Sequence, residues 1–107
     1  MKSLIAAVAA AGLILAGPAA AEKKYAPGVT DAEIKIGQSF ALSGPASAYG
    51  TIPRVEAAYF KMINEQGGVN GRKLNLVTLD DAYSPPKTVE QVRRLVERDQ
   101  VAFVFNI

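Results

Sequence analysis

Two short loops carry the residues of this chain whose types and spacing could do chemistry. The first is Leu42–Gly50 (LSGPASAYG) and the second is Asp80–Ser84 (DDAYS). In the first, Tyr49 offers a flat apolar face tipped by a hydroxyl, a combination that suits a pocket wall; the alternative is a core aromatic. Ser43 suits either a ligand contact or the capping of a turn. Gly44 and Gly50 serve backbone geometry. A helix that follows this loop presents unpaired amide N–H groups and the positive end of its dipole, which favour an anion such as a carboxylate. In the second loop, Asp80 and Asp81 could bind Mg²⁺, hold an amine or cap the next turn. A phosphoryl-transfer receiver would need further partners and a cytosolic setting, and the N-terminus argues against that setting, so the structural role is favoured.

Other chemistries are excluded by what the chain lacks. Its 107 residues contain no His and no Cys. That removes the commonest general base and metal ligand, any thiolate site and any disulfide framework. Most hydrolytic and zinc chemistries are thereby excluded from these residues. Gly37, Gly44 and Gly50 are too widely spaced for a dinucleotide fingerprint, and no phosphate-loop motif occurs. Twelve Lys+Arg against ten Asp+Glu give a net charge of +2 with no clustered basic stripe, which argues against a nucleic-acid partner. The Arg93-Arg94 pair reads as the solvated face of a helix.

The elements that must position the two loops follow from periodicity. Ile34, Ile36, Phe40 and Leu42 mark a strand over Glu33–Ala41. Ile52, Val55, Tyr59, Met62 and Ile63 recur on one stripe of a helix beginning near Thr51, with Pro53 tolerated in its first turn and Gly67-Gly68 as its stop. Asn70-Gly71 is a tight turn. Leu74–Leu79 is a second strand. Ser84-Pro85-Pro86 predicts a helix start with a hydroxyl cap, and Val89, Val92, Leu95 and Val96 continue that helix. Val101–Ile107 is a third, continuously apolar strand. The order β-α-β-α-β implies an α/β fold, a partial doubly wound parallel sheet. In such a sheet ligands bind beyond the carboxyl ends of the strands, which is where both loops fall.

The N-terminus reads as an address. Met1-Lys2-Ser3 is a short positive start, Leu4–Ala16 an unbroken apolar or small run, and Ala19-Ala20-Ala21 a small-residue cleavage pattern. The apolar run is too short for a bilayer, which takes about 20 residues. Residues 1–21 are therefore expected to be a signal peptide cleaved after Ala21, with 22–32 a polar leader and 33–107 the folded part. With no Cys at the junction to carry a lipid, a released protein in the periplasm is expected. Three strands and two helices cover only part of a doubly wound sheet, so the chain is expected to be the N-terminal part of a longer protein.

Ser43-Gly44-Pro45-Ala46-Ser47-Ala48-Tyr49-Gly50 resembles the periplasmic substrate-binding proteins of ABC importers for branched-chain amino acids, the leucine/isoleucine/valine-binding type. Three further segments are similar in the same order: Asp31–Gly37, Ile63–Arg72, and Asp80-Asp81 followed by Ser84-Pro85. The resemblance implies a two-lobed type I periplasmic binding protein, with residues 33–107 the N-terminal part of its first lobe. It implies a small-molecule ligand, an amino acid or related carboxylate or amide, and an inner-membrane ABC permease as partner, with no cofactor and no catalysis. It places Tyr49 at the ligand's side-chain end, with Ser43 and Ala48 as further candidate contacts. Some relatives carry a disulfide Cys near the Asp-Asp turn; this chain has Tyr83 there. The competing expectations are a ligand-sensing receptor domain on the same fold, or a secreted α/β enzyme whose active site lies beyond Ile107.

Overall fold

Strand β1 (Glu33–Phe40) is the centre of the sheet and hydrogen-bonds on both sides. It pairs in parallel with β2 (Lys73–Asp80) over its whole length, from Glu33 opposite Lys73 to Phe40 opposite Asp80. It pairs in parallel with β3 (Phe103–Val104) on the other side, giving the order β2-β1-β3. Helix α1 (Thr51–Glu65) joins β1 to β2, and α2 (Pro85–Glu97) joins β2 to β3. The expected α/β pattern is thus the observed one. This computed structural model describes residues 23–107, and the expected signal segment at 1–21 lies outside them.

Because side chains alternate across a strand, β1 presents two faces. Gly37 lies under α2. A Cβ built there would sit 3.0 Å and 3.1 Å from the two methyls of Leu95, so glycine is what lets the helix approach this closely. Leu95 is 0% exposed and is the largest fully buried side chain. On the opposite face, Leu74 and Leu76 of β2 share a groove with Ala57 and Phe60 of α1. Gln38, buried on that side, donates from Nε2 to Thr78 Oγ1 (2.9 Å).

The end of α1 follows the sequence closely. Gly67 takes a φ of +104°, its N–H reaches Asn64 O (3.2 Å), and the Gly68 N–H reaches Ile63 O (2.9 Å). These two bonds make a Schellman cap. Gly68 is also obligatory, since a Cβ there would lie 2.0 Å from Arg72 O. Asn70 and Gly71, both at positive φ, then turn the chain so that Val69 and Arg72 bridge. Asn64 fixes the helix to the next strand. Its Nδ2 donates to Leu74 O (2.8 Å), and its Oδ1 accepts from the Leu74 N–H (2.7 Å).

Three local expectations need correction. Of the stripe Ile52-Val55-Tyr59-Met62-Ile63, only Ile63 turns toward the sheet; the other four are exposed. The inward residues are Pro53, Glu56, Phe60, Ile63 and Asn64, one position further along. Two anchors set this rotation: the Asn64 clasp on Leu74, and Phe60 stacked on Phe105 with centroids 6.3 Å apart. The Ser84 hydroxyl makes no cap bond. Pro85 and Pro86 lack N–H groups, so the first turn of α2 has fewer donors to satisfy. The third strand is shorter than Val101–Ile107. Its ladder is carried by Ala102 N–H to Lys35 O (2.8 Å) and Phe105 N–H to Gly37 O (2.9 Å). Gln100 and Asn106, at φ of 51° and 57°, bend the backbone at either side.

The segment before β1 packs rather than trails. The Lys35 N–H donates to Gly28 O (2.8 Å), the Thr30 N–H donates to Glu33 O (2.9 Å), and Val29 bridges Ile34. Arg72 Nε donates to Thr30 O (2.7 Å), and its guanidinium lies 5.2 Å over the Tyr25 ring.

The packing of α2 is tested by two neighbouring truncations. Leu95→Ala should cost about 2–5 kcal/mol in urea unfolding, because it empties a sealed site. Val96→Ala, at a position 56% exposed, should change stability by no more than about 0.5 kcal/mol. Equal losses would mean that the helix packs on a different face.

Candidate ligand-binding cleft

The strand order β2-β1-β3 sends the chain from β1 to one side and then back across it. The carboxyl end of β1 is therefore the topological switch point, where neighbouring loops part and leave a crevice. An open hollow of about 620 Å³ lies there, within the roughly 300–1,000 Å³ usual for small-molecule sites. Its base is Ser39, Phe40 and Ala41 at the end of β1. Asp81, Tyr83, Pro85 and Thr88 line one side, and Tyr49 and Ile107 complete it.

Tyr49 sits on a 3-10 turn (Ser47–Gly50) that runs directly into α1. Its ring is 55% exposed and stacks on Tyr83, with centroids 5.9 Å apart and planes 20° from parallel. The core alternative for Tyr49 is therefore not what the structure shows. Ser43 and Ala48 are exposed and are not among the residues lining the hollow. The Ser43 hydroxyl is engaged elsewhere, donating to Asp80 Oδ2 (2.5 Å). The anion site expected at the start of α1 is also partly closed. The amides of Ser47, Tyr49 and Thr51 already donate to the carbonyls of Gly44, Ala46 and Ala48.

The two aspartates divide the work of building this rim. Asp80 Oδ1 accepts from the amides of Leu42 (2.9 Å), Ser43 (3.2 Å) and Ala82 (2.9 Å), so it ties the first loop to the second. The Ser43 hydroxyl first, then the Ala82 amide and the two loop amides, hold the Asp80 carboxyl down to about 2, since all of them favour its charged form. Asp81 is buried. Its Oδ2 accepts from Ser39 Oγ (2.6 Å) and Thr88 Oγ1 (3.0 Å), and its Oδ1 accepts from the Tyr83 amide (2.9 Å). The structural reading of the pair is thus the one the geometry supports. Among the described residues, no group of three acidic, His or Cys side chains comes together to hold a metal ion.

Between these anchors, Ala82 and Tyr83 both adopt left-handed backbone, at φ of 50° and 60°. Each such residue costs about 1–2 kcal/mol without a glycine. The carboxylate bonds to both amides offset this, and the result is to turn the Tyr83 ring back toward Tyr49. Sequence reasoning did not mark Tyr83 as a lining residue. The available signal was an aromatic in the second strand-end loop.

The chain matches the periplasmic binding protein family over residues 33–107. It belongs to that family. It is 39% identical over 72 residues to the leucine-, isoleucine-, valine-, threonine- and alanine-binding protein of Pseudomonas aeruginosa, covering 66% of this chain and 19% of that protein. Its fold is similar to that of LivJ, the branched-chain amino acid transporter substrate-binding protein of Streptococcus pneumoniae, solved in complex with isoleucine. There the TM-score is 0.64 at 30% identity, over 70% of this chain and 22% of that one. It is also similar to a fatty acid ABC transporter substrate-binding protein from Thermomonospora curvata, with a TM-score of 0.63 at 33% identity, over 73% of this chain and 20% of that one. The chain thus spans about a fifth of the length of each. The architecture is that of a type I periplasmic binding protein, and the relatives are named as binding proteins rather than enzymes.

The Asp80 clasp carries a pH signature. Its carboxyl is held below the ordinary 3.8 when folded, so its contribution is complete above about pH 4 and is lost as pH falls through about 2. Asp80→Asn should flatten the loss of thermal stability between pH 4 and 2 relative to the parent. Parallel melting curves in that window would show that Asp80 does not hold the loops.

Proposed function

We propose that residues 33–107 form the N-terminal part of the first lobe of a two-lobed substrate-binding protein. Its role is to capture a branched-chain amino acid, or a related small carboxylate or amide, and deliver it to an inner-membrane ABC permease. In this reading residues 1–21 are a signal peptide cleaved after Ala21, residues 22–32 precede the lobe, and the protein acts in the periplasm by binding, without turnover or cofactor. The observation that carries it is the position of Tyr49: an exposed ring on the rim of a hollow at the switch point of the sheet. The names of the relatives, most of which specify leucine, isoleucine and valine, support the ligand class.

The physical division of labour fits capture. The Tyr49 ring face would cover the apolar end of a solute and its hydroxyl would mark the edge. Ser43, whose hydroxyl donates to Asp80, would support the ligand through the clasp that fixes the loop. Ala48 stands beside Tyr49 in the 3-10 turn.

Calorimetry on the complete secreted protein carrying this chain tests the proposal. The solutes are leucine, isoleucine, valine, their plain carboxylates and amides, and a fatty acid. Saturable binding of at least one branched-chain solute is expected. Tyr49→Ala should weaken it by about 1–3 kcal/mol, roughly 5- to 150-fold, through lost apolar contact. Absence of binding to every solute would overturn the ligand class, and unchanged affinity in the variant would remove Tyr49 from the pocket.

A further inference from the structure

We propose that Tyr83 determines specificity in the same hollow. Together with Tyr49 it forms one continuous aromatic wall that selects solutes with a large apolar body, leucine-sized or aromatic, over alanine-sized ones. This rests on the reading of the hollow as a ligand site and goes further, to a residue and a size rule.

Three observations carry it. First, Tyr83 lines the hollow yet remains 71% exposed, the largest exposure among the aromatic side chains lining it. Second, the two rings lie 5.9 Å apart and 20° from parallel. A flat group sandwiched between two rings needs about 7 Å between their centres at ordinary contact distance. Nothing fits between them, so the pair acts as a broadened wall and not as a clamp. Third, the ring is held there by devices that cost stability. A bulky residue at φ of 60° is an outlier, and it follows another left-handed residue, Ala82. Asp81 Oδ1 accepts from the Tyr83 amide and Asp81 O accepts from the Ser84 amide, both at 2.9 Å, so the turn is fixed on either side of the ring. Since Asp81 is buried and its oxygens are bonded, the carboxylate is a positioning residue and not a ligand contact.

The energetic consequence is graded. Apolar contact scales with area, so a small side chain reaches one ring and gains little from the second. A larger one covers both. Removing Tyr83 should therefore penalise solutes in order of their apolar size.

The test is calorimetry on the complete protein with alanine, valine, leucine and phenylalanine and the corresponding plain carboxylates. Variants are Tyr83→Ala, Tyr83→Asn and Tyr83→Phe, with melting temperature measured for each. Asn tolerates left-handed backbone, so Tyr83→Asn separates loss of the ring from loss of the turn. The expected result is a loss about tenfold or more greater for leucine and phenylalanine than for alanine in both truncations, with Tyr83→Phe close to the parent. A uniform loss across the series, or no loss, overturns this inference alone and leaves the binding reading intact. Failure of the parent to bind any solute of either series overturns the binding reading and this one with it.

Discussion

Two adjacent carboxylates at the carboxyl end of β2 hold the rim of the hollow together. In a parallel sheet nothing in the backbone ladder links the loops that leave neighbouring strands, and each would otherwise sample its own conformations. Asp80 closes that gap from the side, drawing three amides and the Ser43 hydroxyl onto one carboxyl group. Asp81 closes it from below, joining Ser39 at the end of β1 to Thr88 in the first turn of α2. Charge-assisted hydrogen bonds of this kind are about twice as strong as neutral ones, and here they converge. Remove the pair and the sheet would still form, because β1 pairs with β2 over its full length without them. What would be lost is the fixed relation between Tyr49 and Tyr83.

The same arrangement explains why the wall is adjustable while its frame is not. The frame consists of groups whose bonding is complete: Asp81 on three donors, Gly37 against Leu95, Asn64 clasped on Leu74. The wall consists of two exposed rings stacked on each other. Substitutions at the rings act directly on contact area. Structures similar in fold to this chain are named for branched-chain amino acids in one case and for a fatty acid in another.

Much of the fold was legible in the sequence because local signals agreed. The strands read over Glu33–Ala41 and Leu74–Leu79 formed to within a residue of those bounds, and the double glycine at the end of α1 and the Asn70-Gly71 turn formed as read. The rotation of α1 was not legible. Four of the five residues of its apolar stripe point outward, Ile63 being the exception, while a stripe containing Glu56 and Asn64 faces the sheet. Periodicity weighs side chains by polarity, but Asn64 is inside because it completes the backbone bonding of Leu74. That demand belongs to the neighbouring strand and leaves no trace in the helix pattern. The hydroxyl cap expected at Ser84 is not made, and Pro86 at the second helical position removes one of the two amides such a cap serves.

The site shows the same limit more sharply. Tyr49 was legible because it stands in a turn-rich segment at a strand end, where a large aromatic has little core to join. Tyr83 stands in an equivalent place, but its role depends on backbone handedness. In ordinary extended or helical backbone its ring would take a different direction from the same Cα. Only the left-handed run at Ala82-Tyr83 turns it onto Tyr49. That run in turn exists because two carboxylates accept the amides of those residues. Asp80 and Asp81 thus act on the hollow through the direction they give to a ring two or three residues away, and a reading that asks only what a carboxylate could bind will pass over what it orients.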